Sequence, residues 1–249
     1  MLIRPLLRED LPAVAPIVHD TFSNDELFTW LYPHQEKYPN DLRRFQLIRL
    51  RSRLVQLGSH GFVAESEAGD AEWNGAPEIL GFAFYIREGN DEKAAKWRQD
   101  SIAKRLDRYL LSWEQWYEEK ALDRASDPAR AKMMHAATQY SFYSQLESYW
   151  YLGLLGVSPK HQRRGIGARL VAHGQKIAAE DKMPVTLEAS VMGRGLYAKL
   201  GFLEIERLKI VDGLEGVAML WEPEGTEGTW LVRGEGEKAK LKKKETESS

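Results

Sequence analysis

The chain has 249 residues, 43% of them hydrophobic and 29% charged, which fits one large domain in preference to two small ones and rules out a mainly disordered polypeptide. It contains no cysteine, which excludes disulfides, thiolate metal sites and a cysteine nucleophile, and its net charge of −2 supplies no global field for nucleic acid. No apolar run is long enough to span a bilayer, and the opening residues turn charged too early for a secretory signal, so a soluble, intracellular protein is expected.

The first predicted element is a strand from Leu2 to Leu7. A helix follows with Asp10 as its N-cap and Pro12 in the first turn, where a missing N–H costs nothing. Ala13, Ile17 and Val18 make an apolar stripe toward Phe22. An aromatic connection, Phe28 to His34, leads to a second helix over Asn40 to Leu57. Two strands, Gly61 to Glu65 and Ile79 to Arg87, flank a turn-rich segment. The stretch from 91 to 147 reads as helical, with Ile102, Leu106, Tyr109, Leu110, Trp113, Trp116 and Tyr117 at a spacing of three to four. Ser126-Asp127-Pro128 breaks it, as a stop followed by a new N-cap and a proline at the first helical position. The spacing makes Trp113, Trp116 and Tyr117 packing residues toward the core rather than a cofactor site.

Tyr149 to Val157 is a continuous apolar and aromatic run ending at Ser158-Pro159, the pattern of a strand buried on both faces. A helix from Gly165 to Asp181, a strand from Val185 to Ala189 and a short helix around Leu196 to Leu200 come next. Leu203 to Val211 and Val217 to Trp221 form a hairpin about Asp212-Gly213. From 223 the composition shifts to Gly, Glu, Lys and Ser, so a domain over residues 1–222 is expected to carry a mobile tail over 223–249. The lysine run at its end reads as a solvated segment, with a nuclear address or an acidic partner as the lesser alternative.

The chemistry concentrates in Val157-Ser158-Pro159-Lys160-His161-Gln162-Arg163-Arg164-Gly165-Ile166-Gly167-Ala168. A buried strand stops, a basic turn follows, and two glycines open an amphipathic helix. Unpaired backbone N–H groups and the positive end of the helix dipole then converge on one point. Gly165 and Gly167 let phosphates approach that backbone, and Gln162, Arg163 and Arg164 add donors at the rim. His161 beside it reads as solvated loop filler. A Walker loop needs Gly-Lys-Ser/Thr, and a dinucleotide fingerprint needs a third glycine where Leu170 stands; neither fits.

The pattern Gln162-x-x-Gly165-x-Gly167 resembles motif A of the GNAT superfamily of acetyl-CoA-dependent N-acetyltransferases. Leu187-Glu188-Ala189-Ser190 followed by Tyr197-x-Lys199-x-Gly201-Phe202 resembles its motif B. The two motifs cover about a fifth of the chain, Leu154 to Phe202. The resemblance implies an α/β fold with a mixed, largely antiparallel central sheet flanked by helices, residues 91–147 forming a helical insertion before the motif strand. It also implies that the motif strand and the next one splay apart around the pantetheine arm of acetyl-CoA. Leu155 and Val157 would bond the pantetheine amides, Gln162 and Arg163 to Ala168 (with Arg164, Gly165, Ile166 and Gly167) would hold the pyrophosphate, and Ser190 and Tyr197 would face the coenzyme. A neutral amine would attack the thioester directly, Tyr197 protonating the departing thiolate and the Val157 N–H meeting the oxyanion.

The general base is open at this point: Glu188, Glu65 and Glu147 are the carboxylates in reach of the motif strands. The acceptor, a small amine or a peptide N-terminus, would meet Phe28, Trp30 and Tyr32. The competing reading is a non-catalytic acyl-CoA-binding module on a degenerate acetyltransferase fold. No metal is expected, since the six histidines show no ligand spacing, and neither nucleic acid nor membrane is an expected partner. A cytoplasmic enzyme is the leading expectation; monomer and homodimer both stay open.

Overall fold

The computed structural model describes residues 1–70, 73–234, 236 and 238–242. Its elements run β1 (Leu2–Pro5), α1 (Leu11–Phe22), α2 (Glu26–Leu31), α3 (Pro39–Val55), β2 (Ser59–Glu65), β3 (Ile79–Glu88), α4 (Glu92–Trp97), α5 (Ile102–Tyr117), α6 (Pro128–Ala137), β4 (Tyr149–Val157), α7 (Ile166–Asp181), β5 (Val185–Ala189), α8 (Arg194–Lys199), β6 (Leu203–Val211), β7 (Leu214–Trp221), β8 (Leu231–Arg233) and β9 (Ala239–Leu241). Seven strands form one sheet in the order β1-β2-β3-β4-β5-β7-β6, and every pairing is antiparallel except β4 with β5. This is the mixed, largely antiparallel sheet expected.

Strand alternation sends the sheet's side chains to two cores. On one face Trp150, Leu152, Val185 and Leu187 pack against Leu170, Val171 and Ala178 of α7. On the other, Phe82 and Phe84 meet Val14, Ile17 and Val18 of α1 and Leu50 of α3. Gly174 lets α7 approach the sheet. A Cβ there would lie 2.1 Å from the ring of Tyr85, whose hydroxyl donates to the carbonyls of Leu170 and Val171 at 3.2 and 3.4 Å. Gly174→Ala should therefore destabilise the protein by about 1–3 kcal/mol, despite the roughly 1 kcal/mol that alanine's helix propensity offers. Urea unfolding checks this, and a more stable variant would show that the helix can back away freely.

Three expectations about the helices are corrected. Asp10 does not cap α1: its carboxylate takes Arg4 at 2.8 and 2.9 Å and the Leu7 N–H at 2.8 Å, tying strand to helix instead. The first part of the region 91–147 is two α-helices in place of one, because Asp91 and Ser101 each open a new one by accepting N–H groups of its first turn; Asp127 caps the next α-helix as expected. Trp113, Trp116 and Tyr117 do not reach the core; they stand 53–56% exposed on α5, which instead sends Leu111 inward. The spacing of an amphipathic face is the same whether the face is covered or not.

The segment after residue 222 is packed over the described part. Leu231–Arg233 pairs with Ala239–Leu241, Leu231 and Ala239 are buried against Tyr140 and Leu220, and the Glu222 carboxylate accepts the N–H groups of Gly228, Trp230 and Leu231. Apolar side chains at alternate positions among the lysines suffice for a strand face. Most of the lysine run's end, residues 243–249, lies outside the described residues.

Candidate active site

The site begins where two strands part. β4 and β5 pair only through Trp150↔Val185, Tyr151↔Thr186 and Leu152↔Leu187. Gly153 is the extra residue of a bulge, because Phe84 faces Leu154 while Tyr85 faces Leu152. Beyond it β4 stays with β3 and β5 stays with β7, leaving a cleft between them. The Ser158 N–H donates to the Leu80 carbonyl at 2.9 Å, which fixes the alternation. Gly156 and Ser158 therefore turn their backbone groups toward β3, and Leu155 and Val157 turn theirs into the cleft. The Val157 carbonyl is already engaged, accepting from the Thr21 hydroxyl and the Gln162 amide at 3.2 Å each.

A cavity of about 470 Å³ opens on the α7 side of this cleft. Gly165 at φ +80° and Arg163 at φ +63° wrap the turn so that α7 starts pointing at it. The first helical bond runs from the Arg169 N–H to the Gly165 carbonyl, so the N–H groups of Ile166, Gly167 and Ala168 precede it and face the cavity mouth. A Cβ on Gly165 would meet nothing within 4 Å; the glycine serves the left-handed backbone and an open approach. Leu155, Val157, Gln162, Arg163, Gly165, Ile166, Gly167, Ala168, Ser190 and Tyr197 all line this cavity. Arg164 is exposed and does not. Ile166 sends its side chain into the core and offers only its backbone.

Tyr197 is set by the end of α8. The Phe202 N–H donates to the Tyr197 carbonyl and the Gly201 N–H to that of Ala198, with Gly201 at φ +85°. This is a Schellman closure, and its apolar contact is the pair of rings Tyr197 and Phe202, 5.7 Å apart. The spacing Tyr-x-Lys-x-Gly-Phe is thus the geometry that turns the Tyr197 ring into the cavity wall. Burial holds its phenol well above the ordinary value, so it stays protonated and able to donate.

A second cavity, about 310 Å³, opens on the opposite side of the cleft. Glu188 stands in it, at the position that would face Gly153 if the pairing continued. The Tyr143 hydroxyl donates to the Glu188 carboxylate at 3.2 Å. Loss of water around Glu188 raises its carboxyl above the ordinary value, only partly opposed by that hydrogen bond. Tyr140, Tyr151, Phe22 and Phe28 supply aromatic wall, and Asp25, Glu26 and Glu215 add acidic groups.

Of the three carboxylates open as base, only Glu188 lines a cavity at the cleft. Glu65 is held at 2.6 Å by Arg4 near the sheet edge, and Glu147 lines neither cavity. Phe28 lines the cavity that holds Glu188, but Trp30 and Tyr32 do not: Tyr32 is buried against Leu42 and Phe45. His161 is no solvated filler either; it is buried with Nε2 3.4 Å from the Glu78 carboxylate. Sequence reasoning missed Tyr140, Tyr143 and Tyr151, because a tyrosine in an apolar run carries no sign of which cavity it will border.

A family model described as an acetyltransferase (GNAT) domain matches residues 94–223. A protein from Stachybotrys chartarum named "Acetyltransferase" is 22% identical over 211 residues, covering 84% of each chain. The crystal structure of a protein described as histone acetyltransferase HPA2 and related acetyltransferase, from Corynebacterium glutamicum, superposes with a TM-score of 0.55 at 20% identity, covering 89% of this chain and 95% of its own. The fold is therefore that of the GNAT acetyltransferases, and the chain belongs to that family. Among the described residues no helix is long and apolar enough to cross a membrane, and no cluster of three or more metal-ligating side chains occurs.

Proposed function

We propose that the protein transfers the acetyl group of acetyl-CoA to a primary amine that enters from the Glu188 side. The observation that carries this is the pair of cavities meeting at one cleft, one lined by the glycine turn and the start of α7, the other acidic and aromatic. The residues present fit acetyl-CoA: the α7 N-terminus and Arg163 supply donors for the diphosphate, and the outward backbone of Leu155 and Val157 offers an edge to the pantetheine amides. Because the Val157 carbonyl already serves Thr21 and Gln162, the free groups at that edge are the N–H of Val157 and the N–H and carbonyl of Leu155. Those N–H groups can also meet the carbonyl oxygen as negative charge builds on it.

Glu188 accepts the proton that the amine must lose, and its raised pKa brings it nearer the operating pH than an ordinary carboxylate. Tyr197, on the coenzyme side, donates a proton to sulfur as the carbon–sulfur bond breaks. The two groups sit on opposite sides of the cleft, as a base for the incoming nitrogen and an acid for the leaving sulfur require.

Tyr197→Phe tests the acid. It keeps the ring against Phe202 and removes only the hydroxyl, so kcat should fall at least about ten-fold while acetyl-CoA affinity changes little. Unchanged kcat, with chemistry shown to limit turnover, would remove Tyr197 from the mechanism.

A further inference from the structure

A third cavity, about 470 Å³, lies between α3, α5 and the sheet. Arg49, Arg53 and Arg108 line it with Ser112, Gln115 and Tyr151, and no carboxylate is among its lining residues. Arg108 is neutralised by Asp100 at 2.7 and 2.9 Å. Among the described residues the exposed Arg49 makes a ring contact, 5.5 Å over Phe45, but no hydrogen bond or ion pair, and Arg53 makes neither. On the same helix Arg44 and Arg51 each hold a carboxylate at 2.7 Å, so the bare pair is not a general property of α3. In the recess Arg53 loses water without a partner and is repelled by the exposed guanidinium of Arg49 one helical turn away, an arrangement that an anion relieves.

The position of the recess places that anion beside the acceptor side of the cleft. Tyr151 borders both this cavity and the one holding Glu188. A Cβ on Gly153 would lie 2.7 Å from Arg53 Nη1, so the guanidinium reaches the bulge where the cleft opens. Glu188 faces that same bulge from β5. An acidic lobe and a basic lobe thus adjoin on one face of the sheet, with the Tyr151 ring between them.

Resting on the acetyltransferase reading above, we propose that the amine acceptor also carries an oxyanion, a carboxylate or a phosphate. The oxyanion binds Arg53 and Arg49 while the amine faces Glu188. Planar guanidinium groups suit either oxyanion, and a plain alkylamine leaves the basic lobe unmatched.

The test compares hexylamine, 6-aminohexanoate and 4-aminobutyl phosphate as acceptors. Wild-type kcat/KM should be at least ten-fold higher for one of the two anionic amines, and which one identifies the anion. In Arg53→Gln and in Arg49→Gln the ratio of that amine to hexylamine should fall to within two-fold of one, and Arg53→Lys should restore part of it. Equal kcat/KM for all three in the wild type, or a preference retained in Arg53→Gln, would overturn the proposal. Calorimetric binding of the two anionic amines without acetyl-CoA separates this inference from the activity. A ten-fold weakening in Arg53→Gln supports the anion site even if no CoA is ever released, and equal affinity in both proteins overturns it. Arg49→Gln carries the same comparison if Arg53→Gln fails to fold.

Discussion

Gly165→Asp and Gly167→Asp should each weaken acetyl-CoA binding by at least about 100-fold, as read by calorimetry. At Gly165 the φ of +80° means that any L-residue is strained, by roughly 1–2 kcal/mol. Its Cβ would meet no protein atom within 4 Å, so the side chain projects into open space at the cavity that Gly165 lines, where the proposed diphosphate would lie. At Gly167 a Cβ would make ordinary contacts with Leu196 and Val157 at 3.5 and 3.6 Å, so the fold tolerates it and the added charge does the damage. Both aspartates set a negative charge against the phosphates and oppose the α7 dipole. Gly167→Ala is the control and should bind far better than Gly167→Asp. Near-native affinity in both aspartate variants, with the fold intact, would disprove the cradle.

Glu188→Gln should lower kcat by about 10²–10⁴, the range for a positioned general base. Glutamine keeps the size and can still receive the Tyr143 hydroxyl, but it cannot take the proton. The pH profile carries the stronger signature. A base acts deprotonated, so activity should fall as pH falls through the Glu188 pKa, which partial desolvation by the surrounding cavity wall holds above the ordinary carboxylate value. Tyr143 favours the charged form, so Tyr143→Phe should raise that pKa further and move the acid limb to higher pH. The Glu188→Gln variant should lose the limb. A variant that keeps both the rate and the limb would hand the base role to another group or to water.

The parts of the protein legible in the sequence are those specified by local chemistry. Tyr149 to Val157 and Val185 to Ala189 are strands over the predicted residues, because an apolar and aromatic run ending at Ser-Pro and a short β-branched segment opened by Pro184 leave little choice. The glycine-initiated helix and the Tyr-to-Phe closure of α8 are likewise short-range geometries. What could not be read depends on contacts distant in sequence. The bulge at Gly153 exists only relative to β3, and it is what opens the cleft. Glu188 acquires its environment from Tyr143, 45 residues earlier, and Arg53 meets the bulge from a helix a hundred positions upstream. Asp10 carries both N-cap chemistry and a reachable Arg4, and the ion pair prevails. The exposed face of α5 shows the same limit from the other side, since periodicity marks an apolar stripe but not whether anything covers it.

In the proposed reaction the two cavities meet so that acetyl passes from coenzyme to amine. Its most direct test incubates the protein with acetyl-CoA labelled on the acetyl group and a panel of primary amines, following free CoA and the mass of the products together. The expected result is CoA release that depends on an amine, stoichiometric labelled amide, and loss of both in Glu188→Gln. Saturable acetyl-CoA binding with no labelled amide from any amine of the panel would contradict it and leave a coenzyme-binding module in place of an enzyme.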